Sequence, residues 1–276
     1  MQEILAHKEQ KLAELIRSYG SLAIAYSGGV DSSYLAAVAS EVLTDQCQLI
    51  LADSPSIPRS ELKSATELAG QRGWNLAVIS TFEHEDLRYQ ANTDNRCYFC
   101  KSELFERMQH YAQGKNILKM AYGAIIDDLG DHRPGAQAAA EYRVVAPLQE
   151  AGLSKKEIRI LSESRSLPTA SKPSFACLAS RLPTGEAVTV SKLSQIEQAE
   201  EVLRNLGFSQ YRARHHGDLC RIEVDASSFD VVAQNRALLV AKLKALGYRY
   251  VTLDLCSYKS GSTSLASQPI IDSYQI

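Results

Sequence analysis

No apolar run in this chain approaches the ~20 residues that a helix needs to cross a bilayer. The opening Met1-Gln2-Glu3-Ile4-Leu5-Ala6-His7-Lys8 reads as an amphipathic helix, where a signal peptide would carry an apolar stretch. No membrane partner is expected, and the expected location is cytoplasmic. A dominant charge is missing too: 30 Lys and Arg stand against 32 Asp and Glu, a net −2 with a pI near 6.3. That balance offers no basic field to draw nucleic acid and no polybasic tail for a membrane surface. Internal repeats and low-complexity tracts are absent. What is present is length and apolar content: 276 residues, 45% hydrophobic, comfortable for two packed domains. In a cytosolic chain its six cysteines point to packing, metal or catalytic roles before disulfides.

Ser27-Gly28-Gly29-Val30-Asp31-Ser32 follows the apolar run Leu22-Ala23-Ile24-Ala25-Tyr26 and precedes the helical pattern Tyr34-Leu35-Ala36-Ala37-Val38. A glycine loop between a buried strand and a helix N-terminus is a place to hold phosphate, because amides approach the anion unobstructed and the helix dipole adds positive charge. No lysine follows the glycines, so this is not a Walker loop, and the Gly-x-Gly-x-x-Gly of dinucleotide folds is missing as well. Asp31 makes sense beside phosphates once Mg²⁺ bridges them, with Ser32 and Ser33 adding hydroxyls. The loop resembles the pyrophosphate loop, Ser-Gly-Gly-x-Asp-Ser, of the ATP pyrophosphatases, which split ATP into an adenylate and pyrophosphate.

Strand patterns at 22–26, 47–53, 75–80, 117–123 and 143–146 alternate with helical patterns at 32–41, 60–72, 101–111 and 155–164. This rhythm predicts an α/β fold: a parallel sheet with helices on both faces and ligands beyond the carboxyl ends of the strands. Asp53-Ser54-Pro55-Ser56 ends the second strand, where it either lines an adenine and ribose pocket or forms an ordinary polar turn. Asp127 and Asp128 follow the strand ending at Gly123, either completing a magnesium or substrate site or forming a solvated turn. After Ser180-Arg181-Leu182-Pro183-Thr184-Gly185 the order becomes αββαβ: helix 191–206, strands 211–215 and 219–224, helix 229–246, strand 250–255. That predicts a smaller C-terminal α+β domain, 186–276, with two helices on one face of an antiparallel sheet, after a first domain of 1–185. Residues beyond Ser260 are expected to form a loosely held tail.

Arg96-Cys97-Tyr98-Phe99-Cys100-Lys101 sets two thiols at the mouth of a helix, and Cys177 stands alone in the run from Lys172-Pro173 to Ser180-Arg181. Such a pair beside cationic side chains suits a metal ligand or a redox thiol. Structural zinc would want a fourth Cys or His in a paired pattern, which His84, His110 and His132 do not provide. Three thiols fit a [4Fe–4S] cluster with one open iron, and a persulfide or disulfide relay is the other reading. Cys47, Cys220 and Cys256 fall in strand patterns and read as packing residues. Arg133 and Arg181 are plausible clamps for phosphate or carboxylate. Arg212 and Arg214 share one face of a strand, a local anion site or an ordinary face paired to acidic residues. Glu61, Lys63, Glu67 and Arg72 read as a solvated helix face.

Taken together, Ser27–Ser32, Cys97-Tyr98-Phe99-Cys100-Lys101, Asp127-Asp128 with His132-Arg133-Pro134-Gly135, and Lys172 through Cys177 to Arg181 resemble the LarE sulfur transferases over nearly the whole length. The resemblance implies a PP-loop ATP pyrophosphatase fold, of the adenine nucleotide alpha hydrolase-like kind. The implied activity is adenylation of a carboxylate of pyridinium-3,5-biscarboxylic acid mononucleotide and its conversion to a thiocarboxylate, a step in building the nickel-pincer nucleotide. Carried over by position, Ser27, Gly28, Gly29, Val30, Ser32, Asp53 and Gly123 would hold ATP, and Asp31 Mg²⁺. Lys101, Asp128, Arg133, Arg181, Arg212 and Arg214 would meet the substrate, and Cys177 matches the sulfur-bearing cysteine. Cys97 and Cys100 stand where the self-sacrificing branch has other residues, so the chain resembles the branch in which three cysteines hold a [4Fe–4S] cluster carrying sulfide. Glu200 and Asp230 match positions at family subunit contacts, which implies a symmetric oligomer such as a hexamer. The rival classes are a tRNA thiolase, which the charge disfavours, an amide-forming synthetase, which has no use for the cysteines, and a non-catalytic nucleotide sensor.

Overall fold

A computed structural model describes residues 2–129, 134–174, 176–256 and 258. Packing divides the chain into two units, Met1–Phe175 and Ala176–Ile276. The first unit runs α1 (Gln2–Ser18), β1 (Leu22–Ala25), α2 (Val30–Leu43), β2 (Cys47–Asp53), α3 (Arg59–Arg72), β3 (Leu76–Ser80), α4 (Leu87–Gln90), α5 (Arg96–Gly114), β4 (Lys119–Tyr122), α6 (Pro134–Glu141), α7 (Pro147–Glu150) and α8 (Lys155–Ser164). Its strands pair in parallel in the order β3-β2-β1-β4. Alternation along the strands feeds two cores, as the period of two requires. Leu22, Ile24, Leu49 and Leu51 pack with α1, α2 and α8, whereas Ala23 and Ile50 pack with Phe105 and Met108 of α5 and Ala138 of α6. Helices therefore cover both faces, as the apolar rhythm predicts.

The strand expected over 143–146 shrinks to a bridge between Ala121 and Val145. Arg143 has a left-handed φ of 56° and Pro147 opens α7, so little extended chain is left between them. β1 lies between β2 and β4 while the chain visits them on opposite sides, which makes the carboxyl end of β1 the switch point where open α/β sheets bind ligands.

The second unit runs α9 (Val190–Asn205), β5 (Tyr211–His216), β6 (Leu219–Val224), α10 (Phe229–Gln234), α11 (Arg236–Ala245) and β7 (Tyr250–Leu253). Its sheet is mixed, not antiparallel: β5 pairs antiparallel with β6, but β7 joins β6 in parallel. The helical crossover between β6 and β7 imposes that direction. The single helix expected over 229–246 is interrupted at Asn235, whose side-chain amide and backbone N–H both donate to the Val231 carbonyl. Leu203 of α9, Ala213, Cys220, Ile222, Leu239 and Leu243 form the core. Cys256 lies beyond β7 and is exposed, so it is not the packing residue expected from its pattern. The tail beyond Ser260 falls outside the described residues. No helix among the described residues is long and apolar enough to cross a membrane.

Candidate active site

The glycine loop sits at the switch point, and close packing surrounds two glycines there. Gly28 has φ +67°, and a Cβ on it would lie 2.6 Å from the Ala65 Cβ of α3. A Cβ on Gly123, just past β4, would lie 3.1 Å from the Ser32 amide nitrogen, so β4 presses directly against the first turn of α2. Within the loop the Ser27 amide donates to Ser32 Oγ at 3.2 Å, the Ser32 hydroxyl donates to the Gly29 carbonyl at 3.2 Å, and the Gly29 amide reaches Ser27 Oγ at a long 3.4 Å. Val30 and Ser32 are buried in the first turn of α2, and Gly29 is its N-cap. The side chains thus fold the loop on itself at the N-terminus of α2, the end of a helix that favours an anion.

Asp31, in the same turn, pairs with the Lys155 ammonium at 2.5 Å through Oδ2, while its Oδ1 is buried with no hydrogen-bond partner among the described residues. Burial pushes the Asp31 carboxyl up from its usual range, Lys155 pulls it back, and the nearby Asp128 pushes it up again. A shielded, under-satisfied carboxylate already holding a cation is a donor set that Mg²⁺ fits. Asp128 accepts from the Ile125 amide at 3.0 Å, and Asp127 accepts from the Lys155 amide at 2.8 Å at the start of α8. The Asp127-Asp128 turn is thus tied to the start of α8, with Asp127 exposed and Asp128 half-buried.

Two lysines outside the set of site residues expected from the sequence, Lys155 and Lys172, complete the surroundings. Lys155 is held by the Ser154/Glu157 capping box at the head of α8, a Ser-x-x-Glu signature visible in the sequence. Lys172 donates to the Gly28 carbonyl at 3.0 Å and pairs with Glu61 at 2.6 Å. Glu61 is therefore no solvated charge, although Lys63 and Glu67 of the same helix do form an exposed pair. At the end of β2, Asp53 is bound by Arg59 at 2.5 Å, and the Ser54 and Ser56 hydroxyls turn inward to the buried Glu83 at 2.5 and 2.7 Å. The polar side chains expected to face adenine are tied within the protein.

Cys97 and Cys100 fall in the first two turns of α5, exposed and half-buried respectively. A Cβ on Gly135 of α6 would lie 3.1 Å from Lys101 Cγ, and the Lys101 ammonium lies 5.8 Å from the Phe105 ring centre. Arg133, like His132, falls outside the described residues. Burial raises the thiols of Cys47 to about 11 and of Cys220 to about 12, which leaves both inert, as packing residues should be. In the second unit Cys177 is half-buried on a turn gripped by two arginines. Arg181, fully buried, forks onto Glu200 at 2.8 and 2.9 Å and donates to the Ala176 and Cys177 carbonyls at 2.5 and 2.9 Å. Arg214 forks onto Glu223 and donates to the Ser180 carbonyl at 2.8 Å. Both guanidinium groups therefore have internal carboxylates and position the cysteine turn. Glu200, matched to a subunit contact, is buried beneath Arg181, while Asp230 is exposed on α10. Arg212 is half-buried, donates to the Tyr258 hydroxyl at 3.2 Å and stacks 4.8 Å from its ring centre. Burial and then the neighbouring Arg181 charge lower its pKa. Among the described residues no three His, Cys, Asp or Glu side chains are gathered to hold a metal ion. Cys97 and Cys100 of the first unit and Cys177 of the second are all accessible as free thiols.

A parallel α/β sheet whose first strand opens into Ser-Gly-Gly-Val-Asp-Ser at the switch point has the PP-loop fold. No family model matches the chain. It is 31% identical over 258 residues to the pyridinium-3,5-bisthiocarboxylic acid mononucleotide synthase of Lactiplantibacillus plantarum, covering 93% of this chain and 94% of that protein. It is 42% identical over 258 residues to an uncharacterized protein of Synechocystis sp., covering 92% and 96%. A third relative, an uncharacterized protein of Methanocaldococcus jannaschii, is 30% identical over 237 residues, covering 86% and 90%. The chain belongs to the LarE family, that of the Lactiplantibacillus synthase.

Proposed function

We propose that this protein is an ATP-dependent sulfur transferase that converts a carboxylate of a pyridinium biscarboxylate mononucleotide to a thiocarboxylate. The observation that carries the ATP step is the loop at the switch point, with Gly28 and Gly123 packed to contact and Asp31 Oδ1 unpartnered among the described residues. The relative's name supports the substrate. In this reading a substrate carboxylate oxygen attacks the α-phosphorus of ATP and pyrophosphate leaves. A sulfur nucleophile then adds to the acyl carbon and AMP leaves.

Backbone amides of Gly28 to Ser32 hold the pyrophosphate portion, and Lys155 adds positive charge as charge accumulates on the leaving group. Asp31 would hold Mg²⁺, which supplies charge neutralisation at the phosphates. Arg212 anchors the substrate phosphate, with Lys101, Asp128 and Arg133 as further contacts. Arg181 and Arg214 set the backbone around Cys177. A [4Fe–4S] cluster, if held by Cys97, Cys100 and Cys177, would supply transferable sulfide. The physiological assembly in this reading is a homo-oligomer.

The decisive experiment is anaerobic reconstitution with iron and sulfide, followed by iron analysis and absorption spectroscopy. Wild-type protein should bind about four irons per chain, as a [4Fe–4S] centre requires. Cys97→Ala, Cys100→Ala and Cys177→Ala should each lose that signature. Iron-free wild-type protein whose Cys177 becomes dehydroalanine during turnover would overturn the cluster reading and make the thiol itself the sulfur source.

A further inference from the structure

We infer that Lys172 is a positioning residue for the phosphate loop: by holding the Gly28 carbonyl it fixes which way the Gly28–Gly29 peptide faces. The inference deepens the reading of this loop as the ATP site and rests on it.

The ammonium of Lys172 lies 3.0 Å from the Gly28 carbonyl oxygen and 2.6 Å from Glu61 Oε2, with both side chains about three-quarters buried (22% and 23% exposed). Its base is fixed too. Arg159 of α8 donates to the carbonyl of Ala170 at 2.5 Å and to that of Lys172 itself at 2.9 Å. Glu61 and Ala65 stand one turn apart on α3, and Ala65 is the residue against which Gly28 is packed. One helix thus supports the loop twice, by apolar contact at Ala65 and by charge at Glu61 through Lys172.

The consequence follows from peptide geometry. In a trans peptide the carbonyl and the following N–H point from opposite edges of one plane. Glycine on both sides of that plane removes the steric preference that would otherwise resist rotating it. Here the carbonyl edge is held by a charged donor, so the Gly29 N–H is directed to the other side, where its partner is the Ser27 hydroxyl at 3.4 Å. A donor with so long a hydrogen bond is available to a phosphate oxygen. Without Lys172 the plane can turn, and the loop then presents a carbonyl oxygen where an anion should sit. Lys172 therefore acts through the peptide and need not touch the nucleotide.

The test uses the full-length protein with magnesium and α,β-methylene-ATP, measured by calorimetry. Wild type is compared with Lys172→Gln, Lys172→Arg and Glu61→Gln, and each variant is also melted. The nucleotide-free proteins are compared by the amide signal of Gly29 in ¹⁵N-glycine-labelled samples. Lys172→Gln should raise Kd about tenfold or more, equivalent to ~1.4 kcal/mol, and should shift the Gly29 amide before any nucleotide is added. Lys172→Arg should recover part of the affinity, and Glu61→Gln should fall between. Unchanged affinity in Lys172→Gln overturns the inference. So does a loss that disappears at high salt with the Gly29 amide unmoved, because that pattern belongs to a through-space charge. Lower melting temperatures with wild-type affinity would make Lys172 a purely structural residue. Wild-type protein that binds no nucleotide would instead overturn the ATP reading itself, and the phosphate role of Lys172 with it.

Discussion

Asp31→Asn should lower ATP-dependent pyrophosphate release at least about a hundredfold, the usual scale for removing one charge-stabilising group from a polar transition state. It should leave the melting temperature almost unchanged. The two halves of this expectation have one origin. The fold gains little from the charge, because burial disfavours the ionised form, one oxygen has no hydrogen-bond partner among the described residues, and Lys155 is the compensating ion. An amide in the same place keeps an acceptor for Lys155, and the ammonium left without its counter-charge is 32% exposed and stays in reach of water. What it cannot do is hold a divalent cation with comparable strength. The readouts are pyrophosphate release, binding of Mg²⁺ with α,β-methylene-ATP, and a thermal melt. A variant that binds magnesium nucleotide as wild type does would remove Asp31 from the metal role, and a variant that unfolds would make the carboxylate structural.

Much of this site is legible in the chain itself, because strand, glycines and helix follow one another within a short stretch and their order dictates local geometry. Cys47–Asp53 and Lys155–Ser164 have the bounds their patterns predict. Long-range partnerships are not legible. Lys155 meets Asp31, and Lys172 meets Glu61 and Gly28, across sequence separations that no periodicity encodes. The Ser-x-x-Glu box places Lys155 at a helix start without revealing which loop that start faces. Glu61 reads as solvated because an acidic residue on a polar helix face usually is. The partner of a buried arginine is equally hidden: Arg212 and Arg214 share a strand face, yet one stacks on Tyr258 and the other forks onto Glu223. The strand expected over 143–146 fails for a different reason: Val144 and Val145 supply the apolar residues, but a left-handed Arg143 and a helix-opening Pro147 leave too little extended backbone.

Glu200→Ala should destabilise the second unit by about 3–5 kcal/mol, the cost of leaving a buried charge without its partner. Arg181 is among the largest fully buried side chains, and Glu200 takes both arms of its fork while also accepting from the Ala213 amide at 3.2 Å. Truncation strands the guanidinium and a strand donor together. Replacing both partners, as in Arg181→Met with Glu200→Leu, should recover much of the stability, since apolar groups of similar volume often substitute for a buried ion pair without loss. Recovery should be incomplete, because Arg181 also donates to the Ala176 and Cys177 carbonyls and to Ser180 Oγ. The order still missing falls on the turn carrying Cys177. The double variant should therefore melt close to wild type and still show altered Cys177 reactivity toward a thiol probe. Denaturant unfolding followed with that probe separates the two effects. A double variant as unstable as Glu200→Ala would show that the hydrogen bonds to the turn, and not the uncompensated charge, carry the energy. Equal Cys177 reactivity in wild type and double variant would mean that the turn keeps its shape without Arg181.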